Sequence, residues 1–312
     1  MANSISNYLS LVKFSHTIFA LPFALIGFTL AVAWAGQGFD WLLLLYVVMC
    51  MVFARSAAMA FNRYIDRDID EKNARTAVRE IPAGVITPRS ALAFVIVNCL
   101  LFIGTTWLIN PICFWLSPVA LAVVLGYSLT KRFTFLCHLV LGLGLSLAPI
   151  GAYLAVTGVF DWMPLFFSFT VLFWVSGFDI IYALQDEAFD KENALHSIPV
   201  LLGKRNALRL SNVFHIVTAG FIILAGFYAE LSWVYWVGAG LFIALLVYQH
   251  LLVKPNDLSK VNLAFFTTNA SPICRFSALK YVLEGAFKVV ICRLLEAVFA
   301  CWMMHQKLAV GC

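Results

Sequence analysis

Residues 41–73 read WLLLLYVVMCMVFARSAAMAFNRYIDRDIDEKN, and this stretch decides the fold class. Its first 20 residues contain a single charged side chain, that of Arg55, and a helix of this length crosses a hydrocarbon core of roughly 30 Å. Asp66, Asp68 and Asp70 follow within the next ten residues. An apolar run that ends in carboxylates indicates a membrane-spanning helix whose polar end lies at the bilayer surface.

Similar apolar runs recur along the whole chain. Of its 312 residues, 62% are hydrophobic and 12% are charged, whereas a soluble domain carries about 25% charged residues. Eight runs are long enough to span a bilayer: residues 14–35, 41–62, 90–109, 111–129, 135–156, 162–184, 210–228 and 232–253, and a doubtful ninth begins near residue 261. Backbone groups that face lipid must bond within helices, so we expect an all-α, polytopic transmembrane bundle of eight to nine spans.

The loop charges predict how the bundle is oriented. Lys and Arg occur in the loops at residues 63–89, 131–132, 191–209 and 254–260, whereas the intervening loops at 36–40, 110, 157–161 and 229–231 contain neither. The positive-inside rule places the N-terminus and the long polar loops in the cytoplasm. We therefore expect an integral protein of the inner, cytoplasmic membrane whose partner is the lipid bilayer; no nucleic acid or protein partner is implied.

A weak internal repeat relates two parts of the chain. The second span ends in Asn62, Asp66 and Asp70 at four-residue spacing, and a loop containing Ile-Pro follows. Four spans later, the sixth span ends in Asp186 and Asp190 at the same spacing, and another Ile-Pro loop follows. This pattern predicts two four-helix halves whose acidic sites face each other on one side of the membrane.

The spacing of these acids predicts a metal site. If each helix continues past the membrane surface, side chains four residues apart project from one face. Carboxylates stacked in this way repel each other unless cations bind. Mg²⁺, which is held by one or two carboxylates plus phosphate oxygens and water, is the natural candidate, and two such faces could bind a diphosphate. The nearby basic residues could bind the remaining phosphate oxygens: Arg63, Arg67, Arg79, Lys131 and Arg132.

Other polar residues extend these faces into the bilayer. Arg55 lies on the face of Asn62 one or two turns deeper, and Asp179 and Tyr182 continue the second acidic face inward. Ionisable groups inside a span are usually functional or paired. Tyr127 could line a cavity or simply pack, and His196 in the second long loop could help to close a site. The sequence identifies no partner for His138, which lies near the start of the fifth span.

Two interpretations without catalysis are also consistent with these residues. The acids could be solvated helix ends joined by salt links between residues four apart. Alternatively, a cation-coupled transporter would bind ions or protons at its intramembrane acids, although it would need acids near the midplane of several helices. Here nearly all acids lie at predicted cytoplasmic ends, and Asp179 is the deepest.

Three segments together resemble the UbiA family of intramembrane aromatic prenyltransferases: NRYIDRDIDEKNARTAVREIPAG, GYSLTKRFT and DIIYALQDEAFDKENALHSIPVLLG. The resemblance runs from about residue 13 to residue 269. It implies a nine-helix bundle around a central cavity that opens to lipid. It also implies Mg²⁺-dependent transfer of a polyprenyl group from its diphosphate to an aromatic acid.

The resemblance assigns roles to individual residues. The metal and diphosphate ligands would be Asn62, Asp66, Asp70, Asp186 and Asp190. The basic pair Lys131 and Arg132 would bind diphosphate or the acceptor carboxylate. Asp179 and Tyr182 would lie near the acceptor ring and, with Arg132, would form the catalytic set. The expected substrate-binding residues are Arg55, Arg63, Arg67, Arg79, Tyr127, Lys131, Arg132 and His196.

The style of the motifs is closest to 4-hydroxybenzoate polyprenyltransferases and to their relatives in menaquinone synthesis, which act on a naphthoate. We expect residues 1–269 to form the prenyltransferase domain. Residues 270–312 depart from the family pattern, and the charges within their apolar run favour a helix at the membrane interface over a simple span. A further alternative is a lipid-binding scaffold that derives from such an enzyme and has lost its activity through this altered tail.

Overall fold

The computed structural model describes residues 2–12, 14–74 and 76–264. Those residues form twelve helices: α1 (Ala2–Leu11), α2 (Phe14–Ala33), α3 (Trp41–Ile65), α4 (Arg67–Lys72), α5 (Pro88–Ile109), α6 (Pro111–Thr130), α7 (Cys137–Thr157), α8 (Trp162–Ala183), α9 (Glu187–Glu192), α10 (Ile198–Tyr228), α11 (Trp233–Leu252) and α12 (Val261–Leu263). Within the described ranges, the one extended pairing is an isolated bridge between Lys254 and Asp257. The all-α prediction is confirmed.

Each of the eight predicted spans corresponds to a long helix. In the described part of the chain, seven helices are long and apolar enough to cross a membrane: α3, α5, α6, α7, α8, α10 and α11. Helix α2 has 20 residues, and its portion from Leu21 to Ala33 is apolar. The seventh span begins earlier than predicted, because α10 starts at Ile198 and is interrupted at Gly203, where φ is 71°. The predicted ninth span beyond α12 and the tail at 270–312 lie outside the described residues.

Asn110 determines how the bundle closes at the end away from the acidic motifs. Its side-chain Oδ1 accepts the N–H of Cys113 at 2.9 Å and so caps the start of α6. Its Nδ2 donates to the carbonyls of Leu154 and Ala155, near the end of α7, at 2.8 and 3.1 Å. One amide therefore satisfies backbone groups at two helix ends that have no partners within their own helices.

The helix packing agrees with two four-helix halves. In the first half, α2 packs on α3, and α3 packs on α5 and α6; in the second, α8 packs on α7 and α10, and α10 on α11. The halves meet where α2 and α6 pack against α7. The largest core cluster surrounds Trp174, whose ring centroid lies 5.7 Å from Phe23 on α2 and 5.5 Å from Phe242 on α11. Helix α2 of the first half therefore also packs against helices of the second half.

Gly27 allows α2 to approach α7 closely. A Cβ atom built at this position would lie 1.9 Å from the backbone carbonyl oxygen of Pro149. Backbone of a packed helix cannot move aside as a flexible side chain can, so the crossing requires glycine. The contact between the two halves therefore depends on a residue without a side chain.

We expect Gly27→Ala to destabilise the bundle by about 1–3 kcal/mol, because the added methyl group overpacks a helix crossing. Thermal unfolding of the detergent-solubilised protein would measure the loss. Gly104→Ala in α5 is the matched control, since a Cβ there meets nothing within 4 Å. Equal melting temperatures for the two variants would contradict the proposed role of Gly27.

Candidate active site

Both acidic motifs interrupt their helices at the first aspartate. Asp66 separates α3 from α4 with φ −88° and ψ 4°, and Asp186 precedes α9 with φ −97° and ψ 1°. A six-residue helix follows each break and ends at an asparagine cap, Asn73 or Asn193. The repeat inferred from sequence is therefore present in the backbone geometry of both halves.

The sequence predicted one continuous helix that carries Asn62, Asp66 and Asp70 on a single face. The structure differs, because α3 ends before Asp66 and a separate short helix carries Asp70. The spacing nevertheless stays nearly helical, because the N–H of Asp66 donates to the carbonyl of Asn62 at 2.9 Å and that of Asp70 donates to the carbonyl of Asp66 at 2.7 Å. The side chains of Asn62 and Asp66 are also joined, Nδ2 to Oδ2, at 3.0 Å. The first motif remains one polar cluster despite the break.

Within each motif the second aspartate is buried and paired with a cation. Arg79 Nη1 lies 2.6 and 2.7 Å from the two carboxylate oxygens of Asp70. Asp190 has a fully buried side chain, and its Oδ1 lies 2.7 Å from Lys131 Nζ. The first aspartates, Asp66 and Asp186, are only partly buried. The structure thus separates a buried, ion-paired acid from a more accessible one in each half.

Lys131 and Arg132 connect the two motifs. Lys131 pairs with Asp190 of the second motif, whereas Arg132 Nη2 donates to the carbonyl of Ile65 at 2.6 Å and lies 3.4 Å from Asp66 Oδ1 of the first. The backbone carbonyl of Lys131 also accepts the N–H of His196 at 2.8 Å. The loop between α6 and α7 therefore holds both acidic motifs at one end of the bundle.

The electrostatics around Asp66 favour cation binding. Burial raises the pKa of its carboxyl above the ordinary value, the neighbouring charge of Asp70 raises that pKa further, and Arg132 and Lys131 oppose both effects. The net increase in pKa means that the guanidinium of Arg132 and the ammonium of Lys131 do not fully offset burial and the repulsion by Asp70. An additional positive charge beside Asp66 would relieve this repulsion.

The donor set fits Mg²⁺ bound together with a phosphate-containing ligand. Asp and Asn oxygens are the hard donors that Mg²⁺ prefers, and a site needs only one or two carboxylates when phosphate and water supply the other positions. Among the residues that the structure describes, no group of three or more His, Cys, Asp or Glu side chains forms a metal-binding cluster.

Several deeper polar residues converge on Tyr127. Its phenol on α6 lies within electrostatic range of Arg55 on α3, Asp66, and Asp179 on α8. Arg55 Nε is buried and has no hydrogen-bond partner in the described part of the chain. The same holds for Nε and Nη1 of Arg63, which is 4% exposed. Buried guanidinium groups with unused donors could bind an anion at this end of the bundle.

Three of the predicted site residues make other contacts. Arg67 donates to the carbonyl of Tyr64 at 2.8 Å, stacks on the ring of Tyr64 and lies 3.4 Å from Asp68. Its guanidinium thus forms contacts beside the cluster. Tyr182 is half-buried and packs against the apolar cluster of α8 and α10. His196 is exposed, and its backbone rather than its imidazole bonds to Lys131.

His138 belongs to the site although sequence reasoning did not find it. This buried residue at the start of α7 places Nδ1 2.6 Å from Asp179 Oδ2 on α8. The two residues are 41 positions apart, so no local spacing reveals the pair. The sequence offered one general indication of such a pair, since an ionisable side chain within a span, such as His138 or Asp179, is usually paired or functional.

Comparison with known proteins gives a consistent result. The family model described as the UbiA prenyltransferase family matches residues 20–270. Relatives named 4-hydroxybenzoate octaprenyltransferase include one from Vibrio campbellii, 30% identical over 240 residues that cover 75% of this chain and 83% of the relative. Another, from Aliivibrio fischeri, is 30% identical over 233 residues that cover 74% and 80%.

Solved structures resemble the bundle as well. The apo structure of a UbiA homolog from Aeropyrum pernix K1 has a TM-score of 0.77 and 31% identity, covering 85% of this chain and 96% of that chain. A UbiA homolog from Archaeoglobus fulgidus, solved bound to GPP and Mg²⁺, has a TM-score of 0.69, 20% identity and coverage of 88% and 99%. The second similarity concerns the fold alone.

The ion pair between Lys131 and Asp190 should stabilise the protein independently of any activity. Lys131→Met leaves a fully buried carboxylate without its cation, and removing one partner of a buried pair costs roughly 3–5 kcal/mol. We expect a value toward the lower end of that range, because the Lys131 side chain is 38% exposed. Thermal unfolding in detergent measures the loss, and adding Asp190→Asn should recover part of it.

Lys204→Met is the matched control for this measurement. Lys204 Nζ lies 3.7 Å from Glu187 Oε2, and both side chains are partly exposed, so its removal should cost less than about 1 kcal/mol. If Lys131→Met is no more destabilising than Lys204→Met, the pair does not stabilise the fold.

Proposed function

The chain belongs to the UbiA prenyltransferase family, and we propose that it transfers a polyprenyl group from polyprenyl diphosphate to an aromatic acid of the 4-hydroxybenzoate type in quinone biosynthesis. The observation that carries this proposal is the pair of equivalent acidic motifs joined by Lys131 and Arg132. The names of the curated relatives support the acceptor class. The chain is thus a polyprenyltransferase that uses diphosphate as its leaving group.

Mg²⁺ is the proposed cofactor. We assign Asn62, Asp66 and Asp70 to one side of the metal–diphosphate site, and Asp186 and Asp190 to the other. The Archaeoglobus fulgidus homolog bound to GPP and Mg²⁺ supports the use of a divalent metal with a prenyl diphosphate. When bound, Mg²⁺ would neutralise the charge that builds up on the departing diphosphate.

The basic residues around the motifs would bind the same leaving group. Lys131 contacts Asp190, and Arg132 contacts Asp66. Both cations therefore lie beside the proposed metal ligands, where they could bind phosphate oxygens. The unused donors of Arg63 could form further charge-assisted hydrogen bonds. Arg79 belongs to the proposed site as the partner of Asp70. Arg67 and His196 lie at the outer edge of that site.

The reaction breaks the bond between C1 of the prenyl group and the diphosphate oxygen, which leaves with the electron pair. Positive charge develops on the allylic carbon, and the ring carbon beside the acceptor hydroxyl forms the new carbon–carbon bond. Loss of the ring proton to a base restores aromaticity. We propose that Asp179 orients or deprotonates the acceptor hydroxyl, with Tyr127 and Tyr182 nearby. Arg55, with a buried unused donor, would bind an anionic group of a substrate.

The alternatives are less well supported. The naphthoate acceptor of menaquinone synthesis is not favoured, since the relatives described above are named for 4-hydroxybenzoate. A transporter would need acids near the midplane of several helices, whereas Asp66, Asp70, Asp186 and Asp190 all lie at or beyond the end of a long helix. We also propose that residues 1–269 form the prenyltransferase membrane domain and that residues 270–312 are a divergent tail with a helix at the membrane interface.

We further propose that the site faces the cytoplasm, as the loop charges indicate. Val78 in the loop after α4 is 80% exposed, and Val159 between α7 and α8 is 59% exposed. In a cysteine-free background, a membrane-impermeant thiol reagent should label Val78→Cys in inside-out vesicles and Val159→Cys in right-side-out vesicles. The reverse labelling pattern would invert the topology.

Asp66→Ala and Asp190→Ala should each lower Mg²⁺-dependent prenylation by roughly 10²-fold or more, because each removes a carboxylate from the proposed metal–diphosphate site. The assay incubates membranes with polyprenyl diphosphate and either 4-hydroxybenzoate or a naphthoate, with Mg²⁺ or with EDTA, and identifies products by mass.

Asp68→Ala is the control within the same motif. Its side chain is 74% exposed and pairs only with Arg67 among the described residues, so this variant should retain near-wild-type activity. Near-wild-type activity of Asp66→Ala would contradict the assignment of the site. A product formed only from the naphthoate would instead replace the proposed acceptor.

A further inference from the structure

His138 is held in one orientation by contacts to two neighbouring helices, α8 and α10. Its imidazole, 3% exposed, lies between α7 and α8 with Nδ1 2.6 Å from Asp179 Oδ2. The N–H of Ile198, the first residue of α10, donates to Nε2 at 3.3 Å. The hydroxyl of Ser176 on α8 donates to the backbone carbonyl of His138 at 3.1 Å. Both ring nitrogens and the backbone oxygen therefore have partners.

These contacts determine which nitrogen carries the proton. A backbone N–H can only donate, so Nε2 must accept the hydrogen bond from Ile198 and cannot itself be protonated. The proton of the neutral ring then lies on Nδ1, where it is donated to Asp179. Asp179 accordingly accepts this bond through Oδ2 as a carboxylate.

The packing around His138 is tight enough to keep this geometry. One turn further along α7, a Cβ atom on Gly142 would lie 2.4 Å from the carbonyl oxygen of Leu172 on α8. Helices in such close contact cannot shift apart without losing their packing. The distance between His138 and Asp179 is thus fixed by the crossing of α7 and α8.

Asp179 has a second oxygen that is not used in this way. Its side chain is 26% exposed, and Oδ1 has no hydrogen-bond partner among the residues that the structure describes. Asp179 also interacts electrostatically with Tyr127, the tyrosine that interacts in the same way with Arg55 and Asp66. One carboxylate oxygen is therefore bonded to His138, while the other can accept a hydrogen bond from a substrate.

We propose that His138 is a positioning residue, whose Nδ1–H orients the Asp179 carboxylate so that Oδ1 accepts the hydrogen bond of the acceptor hydroxyl. This inference rests on the proposed function, because it assigns His138 a role in the same site. His138 touches no substrate; it acts only through Asp179. Correct orientation matters because a misplacement of about 1 Å can cost roughly 10²-fold in rate.

His138→Leu should therefore lower kcat by roughly 10²-fold, while KM for polyprenyl diphosphate changes by less than about threefold. His138→Asn is the conservative variant, because its Nδ2 is separated from Cβ by the same two bonds as Nδ1 of histidine. Asparagine can donate to Asp179 but cannot reach Ile198, and we expect it to restore most of kcat. Equal losses in the two variants would show that the bond to Asp179 is not the cause and would overturn the proposal.

A double-mutant cycle tests whether the effect passes through Asp179. We expect Asp179→Asn and Asp179→Asn/His138→Leu to have equal activity, because a residue that acts only through the carboxylate has no effect once that carboxylate is replaced. A further loss in the double variant, or full kcat in His138→Leu alone, would overturn the proposal. The absence of product from the wild-type protein with both acceptors would instead contradict the proposed function.

Nitrogen NMR of the protein labelled with ¹⁵N-histidine gives a readout that does not require activity. The chain has six histidines, and the signals lost in His138→Asn identify this residue. We expect a ring protonated at Nδ1, with its signal shifted in Asp179→Asn. A ring whose Nδ1 carries no proton would overturn the proposal whatever the substrate of the enzyme.

Discussion

The free-energy cost of burying carboxylates in low-dielectric surroundings determines how the end of the bundle with the acidic motifs is built. Asp70 and Asp190 are buried, and an unpaired charge in such a place would cost several kcal/mol. Each is neutralised by a cation: Arg79 from the loop that follows the same motif pairs with Asp70, and Lys131 from the distant loop between α6 and α7 pairs with Asp190. The neighbouring Arg132 reaches the first motif, so the short loop between α6 and α7 ties the two halves together.

The same ion pairs separate two roles within each motif. The second aspartate holds the short helix after the break against a cation, and its side chain is buried. The first aspartate stands at the break itself and remains partly accessible. In the proposed metal–diphosphate site, these ion pairs would hold the shape, and Asp66 and Asp186 would present the more accessible oxygen atoms.

Close helix crossings within the membrane-spanning part of the bundle position the polar residues of the site. Gly27 brings α2 against α7, and Gly142 brings α7 against α8. The second crossing places His138 beside Asp179, and the core around Trp174 holds α2 and α11 against α8. The polar groups of the site are thus positioned by apolar contacts between side chains that take no part in the proposed reaction.

The number and approximate bounds of the described spans followed from the sequence alone, because hydrocarbon thickness and backbone hydrogen bonding dictate the length and composition of each helix. The equivalence of Asp66–Asp70 and Asp186–Asp190 was likewise visible, since residues four apart share a helical face. Tertiary structure decided which cation pairs with which acid, turned Arg67 toward Tyr64 and Asp68, and joined His138 to Asp179 across 41 residues. The pairing of Lys131 with Asp190 and of His138 with Asp179 depends on contacts between segments distant in sequence, and no local period encodes it.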